Sequence, residues 1–134
     1  MKNPTVQTHQ PFTQPRYAGM QWRAVAITHA PQTLLHWGEE PDCLTIPLPD
    51  DLLHAVPKRQ AEFLAGRLCA ALALQALELP PQVPRLGRAP VWPSGAVGSI
   101  THTDTLAVAV ASPVHSALGL DCETIMDAAQ AADI

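Results

Sequence analysis

The chain has 134 residues, 47% of them apolar and 15% charged, and a formal net charge of −4, which indicates one globular domain and excludes a disordered chain. The acidic balance excludes a broad cationic surface for bulk binding of nucleic acid, and fourteen prolines exclude a coiled coil. No apolar run reaches the roughly 18–20 residues that cross a bilayer, and three cysteines without CxxC spacing support neither a disulfide framework nor a zinc site.

The N-terminal segment, residues 1–19, carries three prolines and no apolar periodicity, which predicts a mobile tail. It also lacks the apolar stretch of a secretion signal, so we expect a cytoplasmic protein with reduced thiols. Residues 22–28 (WRAVAIT) are predicted to form a strand. Residues 38–50 carry three more prolines and several acids, which predicts a loop with at most a very short extended piece, where Asp50 or Asp51 caps the next element.

The strongest local signal lies in residues 58–79, which are dense in Ala and Leu and contain no proline. They predict the main helix, ended by Pro80 and Pro81. Leucines recur every four residues, so one side should be buried while the charged side chains reach water. The leucines are Leu64, Leu68 and Leu72, and the charged residues are Lys58, Arg59, Glu62 and the head of Arg67.

Two β-prone runs, residues 97–101 and 105–111, are separated by a few polar residues and predict an antiparallel pair. A third run at 117–122 predicts another strand, and the Ala-rich residues 124–134 predict the start of a helix. Together these elements indicate an α+β fold.

Two carboxylates, Asp121 and Glu123, alternate with Cys122 after the apolar run ALGL. In a strand both would point to the same face, where they suit a hard divalent ion such as Mg²⁺. Taken alone, the pattern is more typical of a solvated strand end.

His102 lies in GSITHTD, among hydroxyl side chains and between two predicted strands. A histidine in such a turn can bind phosphate. The remaining phosphate-binding candidates are Arg59, Arg67 and Arg88, because guanidinium donors match phosphate oxygens, although a single arginine is more often a solubilising charge. The other histidines are interpreted as surface or packing residues: His9, His29, His36, His54 and His115.

The segments KRQAEFLAGRLCA, GRAPVWPSGAVGSITHT and ALGLDCE occur in this order. They resemble the 4′-phosphopantetheinyl transferases, particularly the enterobactin synthase component D type, over about residues 44–133. The resemblance implies one pseudo-subunit of that fold, a main helix packed on a small antiparallel sheet. It also implies transfer of the phosphopantetheine arm from coenzyme A to a serine of an acyl, peptidyl or aryl carrier protein, with siderophore biosynthesis as the setting.

The same resemblance assigns roles to residues that match the family's motifs. Asp121 and Glu123 would be Mg²⁺ ligands. His102, with Thr101 beside it, would contact the phosphates of coenzyme A. The basic residues of the helix and of the G-[RK]-x-P turn would hold the nucleotide 3′-phosphate, and they fall on Arg59 or Arg67 and on Arg88.

One family element has no counterpart in these residues. The family's W-[ST]-x-K-E element follows the D-x-E by a few tens of residues, whereas eleven residues follow Glu123, and neither Lys2 nor Lys58 precedes a glutamate. We therefore expect residues 20–116 to form an N-terminal half-domain and residues 117–134 to open a truncated second half. The catalytic base and lysine would lie in that missing half, so no catalytic residue is assigned and little or no turnover is expected from this chain alone.

Three alternatives stay open. The chain could be a non-catalytic half-domain that binds coenzyme A, another nucleotide or a partner without turnover. It could associate with copies of itself to rebuild a cleft, although association would not supply the missing lysine and glutamate. It could also be a small α+β domain whose D-x-E and histidine are incidental.

Overall fold

The computed structural model describes residues 6–7, 19–30, 33–39 and 43–113. Within these ranges one main helix packs against small antiparallel sheets, so the predicted α+β arrangement is confirmed. The predicted elements at 117–122 and 124–134 lie outside the described residues, as does most of the 1–19 tail. The elements in chain order are β1 (Val6–Gln7), β2 (Gln21–Ala26), β3 (Leu34–Trp37), β4 (Leu44–Pro47), a 3₁₀ turn (Asp50–Leu52), α1 (Pro57–Ala76), β5 (Arg85–Leu86), β6 (Ala89–Pro90), β7 (Val97–His102) and β8 (Leu106–Ser112).

The main sheet has the strand order β1-β2-β8-β7 in the described part of the chain, and each neighbouring pair is antiparallel. The predicted pairing of the two C-terminal runs is confirmed, with Ile100 opposite Ala109. All seven residues of β8 are buried, as expected for a central strand. One face of the sheet packs on α1, where Val25, Ala107 and Ala109 meet the leucines of the helix in the core.

Helix α1 begins with Pro57 at its first position, after Val56. Proline fits there because the first helical N–H has no partner within the helix. The prediction that Asp50 or Asp51 caps this helix was wrong, because both belong to the separate 3₁₀ turn. That turn is held to α1 by Gln60, whose Nε2 donates to the carbonyl oxygens of Leu52 and Leu53 at 3.1 and 3.2 Å.

The helix ends at Ala76, before the two prolines that were predicted to stop it. Glu78 adopts a left-handed conformation with φ of 59°. The N–H of Leu79 donates to the carbonyl oxygen of Leu74, and the N–H of Glu78 to that of Gln75, both at 3.0 Å. This is the Schellman arrangement, in which a left-handed residue closes the last turn.

Burial of α1 extends further round the helix than its leucine spacing predicts. Residues 60–74 are buried apart from Arg67, which is half-buried. The expectation that Glu62 reaches water was wrong, since its side chain is 9% exposed. The reason is tertiary: the sheet covers one side of α1, and β3 and β4 cover part of another.

Residues 38–50 contain the short extended piece that the sequence allowed. It is β4, and its partner β3 was not predicted. Pro47 ends β4 in a two-stranded sheet, a position where the absent N–H of proline is tolerated. Among the residues that the structure describes, no helix combines the length and apolar character needed to span a membrane.

Candidate anion-binding site on helix α1

His102 is the last residue of β7 and stands beside a tightly held turn. The hydroxyl oxygen of Thr103 accepts hydrogen bonds from the N–H groups of Thr105 and Leu106, at 3.3 and 3.1 Å. The N–H of Thr103 donates to the carbonyl oxygen of Leu106 at 2.8 Å. His29 Nε2 also donates to the carbonyl oxygen of Asp104 at 2.8 Å. The backbone beside His102 is therefore fixed by contacts that do not involve its own ring.

A close approach of α1 to β7 brings Glu62 to His102. Gly66 lies against Ile100, and a Cβ on Gly66 would be 2.9 Å from Ile100 Cγ2. Glu62 lies one turn before Gly66 on the same side of the helix, and His102 lies two residues after Ile100 on the same strand face. As a result Glu62 Oε2 lies 3.0 Å from His102 Nδ1, a contact that is an ion pair when the ring is protonated.

A second ion pair joins the same helix and turn at the surface. Lys58 Nζ is 3.0 Å from Asp104 Oδ1. The hydrogen bond and the charge of each partner raise the pKa of Lys58 and lower the pKa of Asp104. Both side chains are largely exposed, so this pair contributes little to the free energy of unfolding.

A cleft of about 890 Å³ opens on another side of α1, between the helix, β4 and residues 81–87. Apolar side chains, among them Leu48, Phe63 and Val83, form much of its wall. Arg67 and Arg85 also line it. The cleft therefore combines an apolar wall with two positive charges.

The two guanidinium groups share the ring of Phe63. The Arg67 and Arg85 guanidinium carbons lie 4.7 and 5.5 Å from the ring centre. Arg67 Nε donates to the carbonyl oxygen of Val83 at 3.0 Å, and Arg85 is paired with Asp51. Burial, with the charges of Arg85 and Arg59, lowers the pKa of Arg67 to about 10, so it stays charged at neutral pH. Two adjacent cations favour an anionic ligand here.

Arg59 and Arg88 are more exposed than Arg67. Arg59 is exposed near the start of α1, and Arg59, Phe63 and Arg67 recur every four residues, so they lie along one side of the helix. Arg88 is exposed between β5 and β6 and is not part of the cleft wall.

Residues 49–112 match the family model of the 4′-phosphopantetheinyl transferase N-terminal domain. These residues are similar to that family of transferase domains. The match includes all of α1, His102 and all of β8, and it confirms the resemblance found in the sequence.

Curated relatives agree with this assignment. The chain is 45% identical to the enterobactin synthase component D of Salmonella typhimurium over 89 residues, which are 65% of this chain and 37% of that protein. It is 40% identical to the Escherichia coli K12 protein of the same name over 97 residues, 71% of this chain and 46% of that protein. It is also 44% identical to the 4′-phosphopantetheinyl transferase Svp of Streptomyces mobaraensis over 90 residues, 61% of this chain and 36% of that protein. The matched region is less than half the length of these relatives.

The fold places the predicted site residues in separate groups. Arg59 and Arg67 lie along the cleft side of α1, His102 lies at the end of β7, and Arg88 lies on the β5–β6 turn. Thr101 is half-buried, and because neighbours along a strand point to opposite faces, its side chain lies on the other face from His102.

The predicted metal ligands Asp121 and Glu123 lie outside the described residues. Within the described ranges, no group of three or more His, Cys, Asp or Glu side chains is placed to bind a metal ion. The magnesium site therefore stays a prediction from the sequence.

Two residues at the site were not predicted from the sequence. Arg85 precedes the predicted Arg88 by three positions, in the segment PRLGRAP, and only the fold shows that it meets Arg67. Glu62 was assigned to the solvent face. Its available signal was its position four residues before Gly66, a glycine inside a helix that indicates close packing.

Proposed function

We propose that this chain provides the coenzyme A-binding part of a 4′-phosphopantetheinyl transferase. In the reaction, the hydroxyl oxygen of a carrier-protein serine bonds to the phosphorus that bears the pantetheine arm. The bond from that phosphorus to the bridging oxygen breaks, adenosine 3′,5′-bisphosphate leaves, and the serine proton passes to a base. The acceptor would be an acyl, peptidyl or aryl carrier protein, and the names of the relatives favour siderophore synthesis of the enterobactin type. The cytoplasm would be its location, an expectation that comes from the sequence.

The observation that carries this proposal is the pairing of Arg67 with Arg85 on Phe63, inside the region that matches the transferase domain. Coenzyme A carries a 3′-phosphate and a diphosphate, and guanidinium forks suit phosphate oxygens. Arg67, with Arg59 on the same side of the helix, would hold the 3′-phosphate. Arg88 would contact the same group from the β5–β6 turn.

His102 would contact the diphosphate. Its side chain is 40% exposed, and Lys58 adds a positive charge at the same end of α1. An exposed imidazole can donate a hydrogen bond to a phosphate oxygen, while Lys58 is itself paired with Asp104. Thr101 stays a predicted neighbour in this role, although its side chain lies on the opposite strand face.

Mg²⁺ is the metal that the sequence predicts, with Asp121 and Glu123 as its ligands. Carboxylate oxygens are its usual protein ligands, so the donor chemistry fits. When bound, the ion would neutralise negative charge on the diphosphate and the leaving group.

A second candidate function is coenzyme A binding without turnover. It applies to these 134 residues by themselves, which contain no Lys-Glu pair, whereas the family element that supplies the lysine and the acid contains one. We expect the 134-residue polypeptide, mixed with coenzyme A, Mg²⁺ and an apo carrier protein, to transfer little or no phosphopantetheine. Full turnover in that assay would rule out coenzyme A binding without turnover as the function of these residues.

Calorimetric titration of the purified chain with coenzyme A tests the binding proposal. The titration is run with and without Mg²⁺, on wild type and on Asp121→Ala, with Asp50→Ala as an exposed acidic control. Binding that needs both Mg²⁺ and Asp121 supports the proposal. Absence of binding by wild type under both conditions would contradict it.

A further inference from the structure

The ring of His102 has a defined proton arrangement. Its Nδ1 lies 3.0 Å from Glu62 Oε2 and 3.3 Å from the carbonyl oxygen of Thr103. An ionised carboxylate and a carbonyl oxygen can only accept hydrogen bonds. These contacts favour a proton on Nδ1, and Nε2 is the ring nitrogen that Glu62 does not contact.

The two partners differ in burial. The Glu62 side chain is 9% exposed and the His102 side chain is 40% exposed. Because the Nδ1 edge of the ring faces the buried carboxylate of Glu62, the exposed remainder of the imidazole is the part that a ligand can reach. The tautomer and orientation of a functional histidine are set by the partner of its other nitrogen.

Hydrogen bonds to the backbone hold the turn beside His102 independently of the contact between Glu62 and the ring. Hydrogen bonds to the Thr103 hydroxyl and to the carbonyl oxygens of Asp104 and Thr105 hold the turn without Glu62. Removal of the Glu62 carboxylate should therefore release the ring while the turn keeps its shape.

We propose that Glu62 is a positioning residue that holds His102 with its proton on Nδ1 and presents Nε2 to a phosphate oxygen of the ligand. This inference rests on the proposed function in one respect, the identity of the ligand as coenzyme A. When Nε2 donates to the phosphate, both ring nitrogens carry protons, and the Glu62 carboxylate offsets the resulting positive charge. A glutamine could not substitute fully, because its amide group both donates and accepts.

The first test needs no ligand. Ring ¹⁵N chemical shifts of His102 are measured in the full 134-residue chain over a pH series, for wild type, Glu62→Gln and Glu62→Ala. Glu78→Gln is the matched control, since it alters an exposed carboxylate at the far end of α1. We expect the neutral ring to carry its proton on Nδ1 in wild type and Glu78→Gln, and to shift toward the Nε2–H form in both Glu62 variants. An unchanged tautomer in both Glu62 variants would overturn the inference.

The second test measures affinity for coenzyme A by calorimetry. Misplacing the ring weakens its charge-assisted hydrogen bond to the phosphate, so we expect about a tenfold loss of affinity in Glu62→Gln. Dephospho-coenzyme A, which keeps the diphosphate, should show the same loss, and Glu78→Gln should show none. In a His102→Ala background, Glu62→Gln should have almost no further effect, because a positioning residue acts through the residue that it holds. A full additional loss in that background would overturn the inference. If wild type binds neither nucleotide, the proposed function fails, while the tautomer measurement still decides whether Glu62 positions the ring.

Discussion

Arg67 donates a hydrogen bond from Nε to the carbonyl oxygen of Val83 at 3.0 Å while its guanidinium carbon lies 4.7 Å from the centre of the Phe63 ring. Among the described residues, these contacts engage Nε and one face of the group and leave its Nη atoms for a ligand. The contact with Val83 also ties α1 to residues 81–87 across the cleft. Arg67 is thus both a wall of the cleft and a cation directed into it.

Replacing Arg67 by lysine should weaken coenzyme A binding selectively. Lysine keeps the charge but loses the planar fork and the Nε contact, so we expect about a tenfold loss of affinity by calorimetry. Dephospho-coenzyme A, which lacks the 3′-phosphate, should bind Arg67→Lys and wild type with equal affinity. Arg23→Lys, a partly buried arginine on β2, is the matched control. Equal losses for both nucleotides would contradict the assignment of Arg67 to the 3′-phosphate.

Cys69 should make the free energy of unfolding fall as the pH rises above about 9. The thiol is fully buried and donates to the carbonyl oxygen of Ala107 at 3.3 Å, and burial raises its pKa from the ordinary value of 9.0. In this range the unfolded chain loses the thiol proton and the folded chain keeps it. The contribution of the thiol to the free energy of unfolding is therefore fully present below about pH 9. It is lost progressively above that pH, with a slope approaching about 1.4 kcal/mol per pH unit.

Urea unfolding between pH 9 and 10, for wild type and Cys69→Ala, checks this slope. The difference between the two proteins isolates the thiol, because the lowered pKa of Arg67 acts on both and has the opposite sign above about pH 10. Parallel pH dependences would contradict the prediction.

Glu78→Gly should stabilise the protein by about 0.5–1 kcal/mol, because a side chain in the left-handed region is strained and glycine is not. Urea denaturation should show a higher midpoint with an unchanged slope. Glu78→Gln is the control, since removing a negative charge at the helix C-terminus is itself favourable. If the glutamine variant gains as much as the glycine variant, charge and not backbone strain is the cause.

Gly98→Ala should destabilise the protein by about 1–3 kcal/mol, the usual cost of an overpacked contact. A Cβ on Gly98 would lie 2.4–2.5 Å from three atoms of the Trp92 ring, which packs directly over this part of β7. In a Trp92→Leu background the same change should cost much less, and denaturation of the four proteins completes the cycle. An undiminished cost in that background would mean that another contact is responsible.

Local sequence signals predicted α1 and the β7–β8 pair. An Ala- and Leu-rich run favours a helix, and the two β-prone runs favour strands. They missed β3, which lies among prolines and acids and becomes a strand only by pairing with β4. They also misplaced Glu62. An acid four residues after Lys58 is typical of a solvent face, and the close packing that buries it depends on Gly66 and Ile100, which are distant in sequence.

The sequence by itself determined the resemblance to the transferase family and the main helix. It also determined the choice of Arg59, Arg67, Arg88 and His102 as phosphate-binding candidates, because these follow from residue type and order along the chain. Only the tertiary structure decided that Glu62 meets His102 and that Arg85 joins Arg67 on Phe63. The physical reason is that ion pairs and ring contacts act over a few ångströms, and those distances are set by how α1 packs against the sheet and residues 81–87, which local preferences do not specify.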